Sequence, residues 1–103
     1  MERIEKLKQF LESNPGDAFV QHALGLEYVK LGDDEQAEKL FRNLLEQDPG
    51  YTGTYYHLAM LLERMGRKDE AQLIYEKGID ACKKSGDVHA LRELQNAYDD
   101  LMF

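Results

Sequence analysis

Residues 11–17 read LESNPGD and residues 45–51 read LEQDPGY, so the chain writes nearly the same heptapeptide twice, 34 residues apart. The register extends well beyond this pair. Displaced by 34 residues, Pro15 meets Pro49, Leu24 meets Leu58, Leu31 meets Met65 and Gly32 meets Gly66. Further on, Ala37 meets Ala71 and Phe41 meets Tyr75. Large residues fall on large ones, small on small, and turn formers on turn formers. A repeat of this length is one supersecondary unit that cannot bury its apolar face alone and must stack on its neighbour.

Each period holds two helical stretches. Phe19, Val20, Ala23, Leu24, Val29 and Leu31 recur at helical spacing and predict a helix over 18–31, with Asp17 ahead of it as an N-cap. Gly32 follows, where a left-handed C-terminal cap favours glycine. Asp33 then offers a carboxylate to the free N–H groups of a helix over 34–47, in which Ala37, Leu40, Phe41, Leu44 and Leu45 form one apolar stripe. Pro49 and Gly50 stop that helix, because proline lacks an N–H and disfavours helix in the residue before it. The pattern restarts over 52–65 and 68–84. Gly78, inside the last of these, reads either as a close approach to the next helix or as a tolerated glycine.

This arrangement resembles the tetratricopeptide repeat, whose pattern is W-x2-L-G-x2-Y, then A-x3-F, then P. Residues 18–51 carry Leu24-Gly25, Tyr28, Ala37, Phe41 and Pro49, with Gln21 in place of the leading tryptophan. The next unit has Tyr55 at that position, then Leu58-Ala59, Leu62, Ala71 and Tyr75, and ends at Lys83 instead of proline. Gly25, Ala37, Ala59 and Ala71 are small where two helices cross, and Phe41 and Tyr75 fill the space between them.

Both ends read as partial repeats. Leu91, Leu94-Gln95 and Tyr98 restart the spacing over 88–101, which makes the unit before them 36 residues long and places the excess in the polar join KKSGD. Leu7, Phe10, Leu11 and Pro15 match Phe41, Leu44, Leu45 and Pro49, so the first helix corresponds to the second half of a repeat. Each terminal helix carries a single apolar stripe (Ile4, Leu7, Phe10 and Leu11 in one; Leu91, Leu94, Tyr98 and Leu101 in the other) and an opposite charged face, as suits a terminal unit. The resulting expectation is an all-α domain of six antiparallel helices over 1–103, divided as 1–17, 18–51, 52–87 and 88–103. The resemblance implies that they stack as a short right-handed superhelix.

Composition narrows the class of partner. An apolar content of 43% allows a core, and the length suits one domain. The formal charge of −7 repels nucleic-acid phosphates, and no basic stripe compensates: Arg64, Arg67 and Lys68 are followed at once by Asp69 and Glu70. No apolar run approaches the roughly 20 residues that span a bilayer, and the opening MERIEKLKQF is charged and amphipathic, unlike a signal-peptide core. Cys82, the lone cysteine, has no internal disulfide partner. Neither nucleic acid nor membrane is expected as a partner, and a cytoplasmic setting is the default.

Candidates for chemistry are few. His22 and His57 fall on the first helices of adjacent repeats and, if these stack closely, form a two-histidine pair; their simpler reading is as polar groove residues. His89 and Glu93 are an i,i+4 pair on a solvated face, and Cys82 reads as a small buried filler. No nucleophile elbow, phosphate-binding loop, dinucleotide fingerprint or zinc spacing occurs. The expectation is a non-enzymatic protein with no cofactor and no metal.

The resemblance implies a concave groove, lined by the first helix of each repeat, that takes a peptide or helix of a partner protein. Its positions fall on Phe19, His22, Leu26, Val29 and Lys30; on Gly53, Tyr56, His57, Met60, Glu63 and Arg64; and on His89, Arg92, Glu93, Asn96, Asp99 and Asp100. Phe19, Leu26, Tyr56 and Met60 are surplus once Leu24, Tyr28, Leu58 and Leu62 are assigned to packing, and adaptable interfaces use such residues. Lys30, Arg64 and Arg92 supply polar edges. The alternative is that a neighbouring helix or a second copy of the chain, in a homodimer, covers the same residues. Some members of the family clamp an acidic carboxyl terminus with basic and amide side chains. Here those positions hold His22, Leu26, His57, His89 and Glu93; a leucine and a glutamate cannot hold a carboxylate, and Glu93 would repel it.

Overall fold

Asp17, Asp33 and Asp87 each turn a carboxylate back onto the helix that follows. Their Oδ1 atoms accept hydrogen bonds from the backbone N–H of Val20 at 3.0 Å, Gln36 at 3.3 Å and Ala90 at 3.1 Å. The computed structural model describes residues 2–103. It places six helices there: α1 (Glu2–Ser13), α2 (Ala18–Leu31), α3 (Asp34–Gln47), α4 (Gly53–Arg64), α5 (Lys68–Ser85) and α6 (Val88–Met102). No strand occurs among the described residues. The all-α, six-helix expectation therefore holds.

The turns repeat as the period demands. Gly32 and Gly66 both take the left-handed conformation, at φ 85° and 77°. The next residue in each case, Asp33 or Arg67, donates its N–H 2.9 Å back to Tyr28 or Leu62. Such bonds satisfy helix-end carbonyls and set the reversal into the following helix. The boundary of α4 differs by a residue at each end from the expected 52–65. Thr52 does not cap α4; its hydroxyl donates to Asp87 Oδ2 at 2.6 Å instead.

The helices form two compact units, one ending at Asp48 and one beginning at Pro49. In the first, α1 and α3 both pack on α2. Leu24, Tyr28, Ala37, Phe41 and Leu44 are buried there. A Cβ added to Gly25 would sit 2.4 Å from Phe41 Cε1, so glycine is what lets α2 and α3 close over that ring.

In the second unit α5 packs on both α4 and α6. Tyr55, Leu58, Ala59, Leu62, Ala71, Tyr75, Cys82 and Leu94 are buried there. Gly78 is a true close approach: a Cβ would lie 2.6 Å from Tyr55 Cβ and 2.9 Å from Leu94 Cδ1, so three helices meet at its bare backbone.

The stripe of α1 departs from expectation. Ile4 is buried, but Phe10 is 46% exposed although it matches the buried Leu44. Within its unit α1 packs on α2 alone, and Phe10 falls on the part of the stripe that α2 leaves uncovered.

Candidate interaction surface

On α2, Phe19, His22, Leu26 and Val29 follow one another at spacings of three, four and three, which puts them on one face of the helix. Phe19 is 71% exposed, while His22, Leu26 and Val29 are half-buried. The His22 ring leans on Phe41, with centroids 5.7 Å apart. Lys30 is exposed and pairs with Glu27 at 3.2 Å; Arg3 approaches the same carboxylate at 3.3 Å. The hydrogen bond from Lys30 holds Glu27 below the usual carboxylate range, against the opposing effect of partial burial.

In the second unit, Tyr56, His57, Met60 and Arg64 lie on α4 and Arg92 and Asn96 on α6. Met60 is 43% exposed; Arg64, Arg92 and Asn96 are exposed, and Tyr56 and His57 half-buried. The two rings of Tyr56 and His57 meet edge to face at 5.4 Å. Burial pulls His57 below its ordinary value, with Glu93 opposing. His89 and Glu93 stand 3.9 Å apart on a solvated face.

Beneath this face lies a contact that the period does not announce. The hydroxyl of the buried Tyr75 donates to Glu63 Oε2, and Met60 Sδ lies 3.1 Å from that hydroxyl oxygen. Burial, then the bond to Glu63, pushes the phenol far above its ordinary range. Tyr75 therefore stays a donor, and Glu63 is held in place.

Each unit also has a cleft at its proline joint. That of the first, about 500 Å³, is lined by Leu11, Pro15, Gln21, Leu40, Asn43, Glu46 and Gln47. That of the second, about 580 Å³, is lined by residues that include Pro49, Tyr55, Lys77, Asp80 and Ala81, five positions displaced by 34 from members of the first set. Gln21, 7% exposed, donates to Pro15 O at 2.6 Å and to Gln47 Oε1 at 3.1 Å. Its own Oε1 is buried and accepts from no donor among the described residues. In the repeat pattern position 21 is only a missing tryptophan.

Among the described residues no cluster of three or more metal-ligating side chains occurs, and no helix is long and apolar enough to cross a membrane. The tetratricopeptide repeat profile matches residues 28–94. The chain belongs to the tetratricopeptide repeat family. A TPR repeat-containing protein of Pseudomonas aeruginosa is 29% identical over 91 residues, covering 88% of this chain and 87% of that protein. A tetratricopeptide repeat domain protein from Salinibacter ruber has a crystal structure with a TM-score of 0.80 and 41% identity, over 84% of this chain and 96% of that one. The TPR2B domain of yeast Sti1, in a complex with pHsp70, superposes with a TM-score of 0.88 at 15% identity, over 96% of this chain and 79% of that one. At that identity the likeness is one of fold alone. Tetratricopeptide repeats are generally non-enzymatic modules that bind other proteins.

Proposed function

We propose that this tetratricopeptide repeat protein binds a peptide or helix of a partner protein in a partly apolar groove. The groove faces are Phe19, His22, Leu26, Val29 and Lys30 of α2, and Tyr56, His57, Met60, Arg64, Arg92 and Asn96 of α4 and α6. The observation that carries this reading is the exposure of Phe19 and Met60 on helices that already supply Leu24, Tyr28, Leu58 and Leu62 to the core. Phe19 shares its face with Leu26 and Val29, and Met60 with Tyr56, and apolar side chains grouped in this way mark surfaces that another chain covers.

The yeast Sti1 domain shares the fold and occurs in a complex with pHsp70.

The test is selection of a displayed random peptide library on the immobilised chain. Peptides enriched by the wild type should lose binding to Leu26→Glu and Met60→Glu, while the thermal melt of each variant stays near that of the wild type. No enrichment, or enrichment indifferent to both changes, overturns the reading. A second reading, self-association, is favoured by Phe10, 46% exposed on α1. A concentration-dependent dimer in sedimentation equilibrium that Phe10→Glu abolishes would establish it.

A further inference from the structure

Glu63 is half-buried on α4, one turn beyond the exposed Met60 and two turns beyond Tyr56, so the three share a face. Its Oε2 is held by the Tyr75 hydroxyl, which leaves the second carboxylate oxygen to another donor. No ion pair joins Glu63 to a cation among the described residues. The neighbouring Arg64 leaves the helix about 100° away from it, at the angular step of an α-helix. Asp100, on α6, lies within electrostatic reach of the same tyrosine hydroxyl and adds charge of the same sign. The C-terminal end of α4, which closes at Arg64, adds the negative end of the helix dipole.

We infer that the bound segment presents a lysine or arginine to Glu63 and lays its aliphatic stem along Met60 and Tyr56; this rests on the groove reading and specifies its partner as a basic, partly apolar protein segment. The chemistry matches at both ends of such a side chain. Long basic residues cover apolar surface with their methylenes while the charged head reaches a polar site. A carboxylate already held by one hydrogen bond keeps its place for a second, charge-assisted one. The polarity is opposite to that of a clamp for acidic tails, which Glu63 and Asp100 would repel.

The library selection decides it, run on the full chain as wild type, Glu63→Gln and Met60→Glu. The wild type should enrich peptides with a lysine or arginine beside an aliphatic or aromatic residue. A synthetic peptide of the enriched sequence should bind Glu63→Gln about tenfold more weakly, as should the same peptide with its basic residue replaced by norleucine, and the two losses should not add. Glu63→Gln retains an acceptor for Tyr75, so an unchanged circular dichroism melt separates lost binding from lost folding. Enrichment of acidic or uncharged peptides that Met60→Glu abolishes would overturn the inference and leave the groove reading standing. Basic peptides that bind Glu63→Gln as tightly as the wild type would do the same. No enrichment at all would overturn both.

Discussion

Gln21 and Tyr55 stand 34 residues apart and make the same hydrogen bond, each donating at 2.6 Å to the carbonyl of the proline six residues before it. An amide and a phenol thus do one task, tying the start of a first helix to the joint that precedes it. The phenol does so with its single proton. The amide brings a second polar atom, Oε1, which is buried without a donor among the described residues.

Tyr55→Phe leaves the Pro49 carbonyl without this bond and should lower unfolding free energy by about 1–2 kcal/mol. Gln21→Tyr should act in the other direction. It keeps a donor for Pro15, removes the orphaned acceptor and has the adjoining cleft to grow into; it gives up the bond to the exposed Gln47, which water replaces, so a gain of up to about 1 kcal/mol is expected. Urea denaturation followed by circular dichroism checks both.

Gly78→Ala should destabilise by about 1–3 kcal/mol, the range for overpacking a filled core, even though alanine favours helix by up to about 1 kcal/mol. The added methyl meets Tyr55 at its Cβ, close to the main chain, where little can yield. Gly25→Ala meets the ring of Phe41 instead and should cost less, since a ring tilts more readily than a backbone shifts. The order of the two urea midpoints is the decisive readout.

Truncation should separate core from surface. Leu24→Ala and Phe41→Ala remove buried side chains and should cost about 2–5 kcal/mol each, a large share of the stability of a domain this size. Phe19→Ala, on the exposed face, should change stability by no more than about 0.5 kcal/mol. A large loss from Phe19→Ala in the same melts would place that ring in the core.

Acid should weaken the second unit through Asp87. The Thr52 hydroxyl first, and the Ala90 N–H second, hold this carboxyl below its ordinary value in the folded chain. A depressed folded value means that the stabilisation is complete above the unfolded pKa and is lost as pH falls through the folded one, here below about pH 4. Asp87→Asn and Thr52→Val should each flatten the fall of the urea midpoint between about pH 5 and pH 2. An unchanged slope in both would show that this contact is not linked to folding.

Much of the fold was legible because its signals are local. Asp17 and Asp33 cap helices within three residues, and Gly32 and Gly66 need only their own φ, so the boundaries of α2 and α3 could be read directly. The small residues at crossings were legible through the period, since Gly25 and Ala59 recur opposite Phe41 and Tyr75. Phe10 was not, because a stripe does not say which of its members the neighbouring helix covers. The pairing of Glu63 with Tyr75 joins two helices across twelve positions, and no motif marks it. Exposed apolar residues such as Phe19 and Met60 were legible as surplus, but a pattern that encodes packing says nothing of the side chain that comes to cover them.

Because Tyr55 reaches back to Pro49, that proline belongs to the helix after it and not to the one it terminates. The N–H of Asp48, bonded to Leu44 O at 2.8 Å, closes α3 just before it. A cassette for lengthening or shortening the array should therefore be cut ahead of Pro15 and Pro49, as 15–48, and not at the first residue of a helix. Grafts cut at Ala18 or Thr52 would separate a donor from its acceptor at every splice, whereas grafts cut ahead of the prolines carry each joint intact.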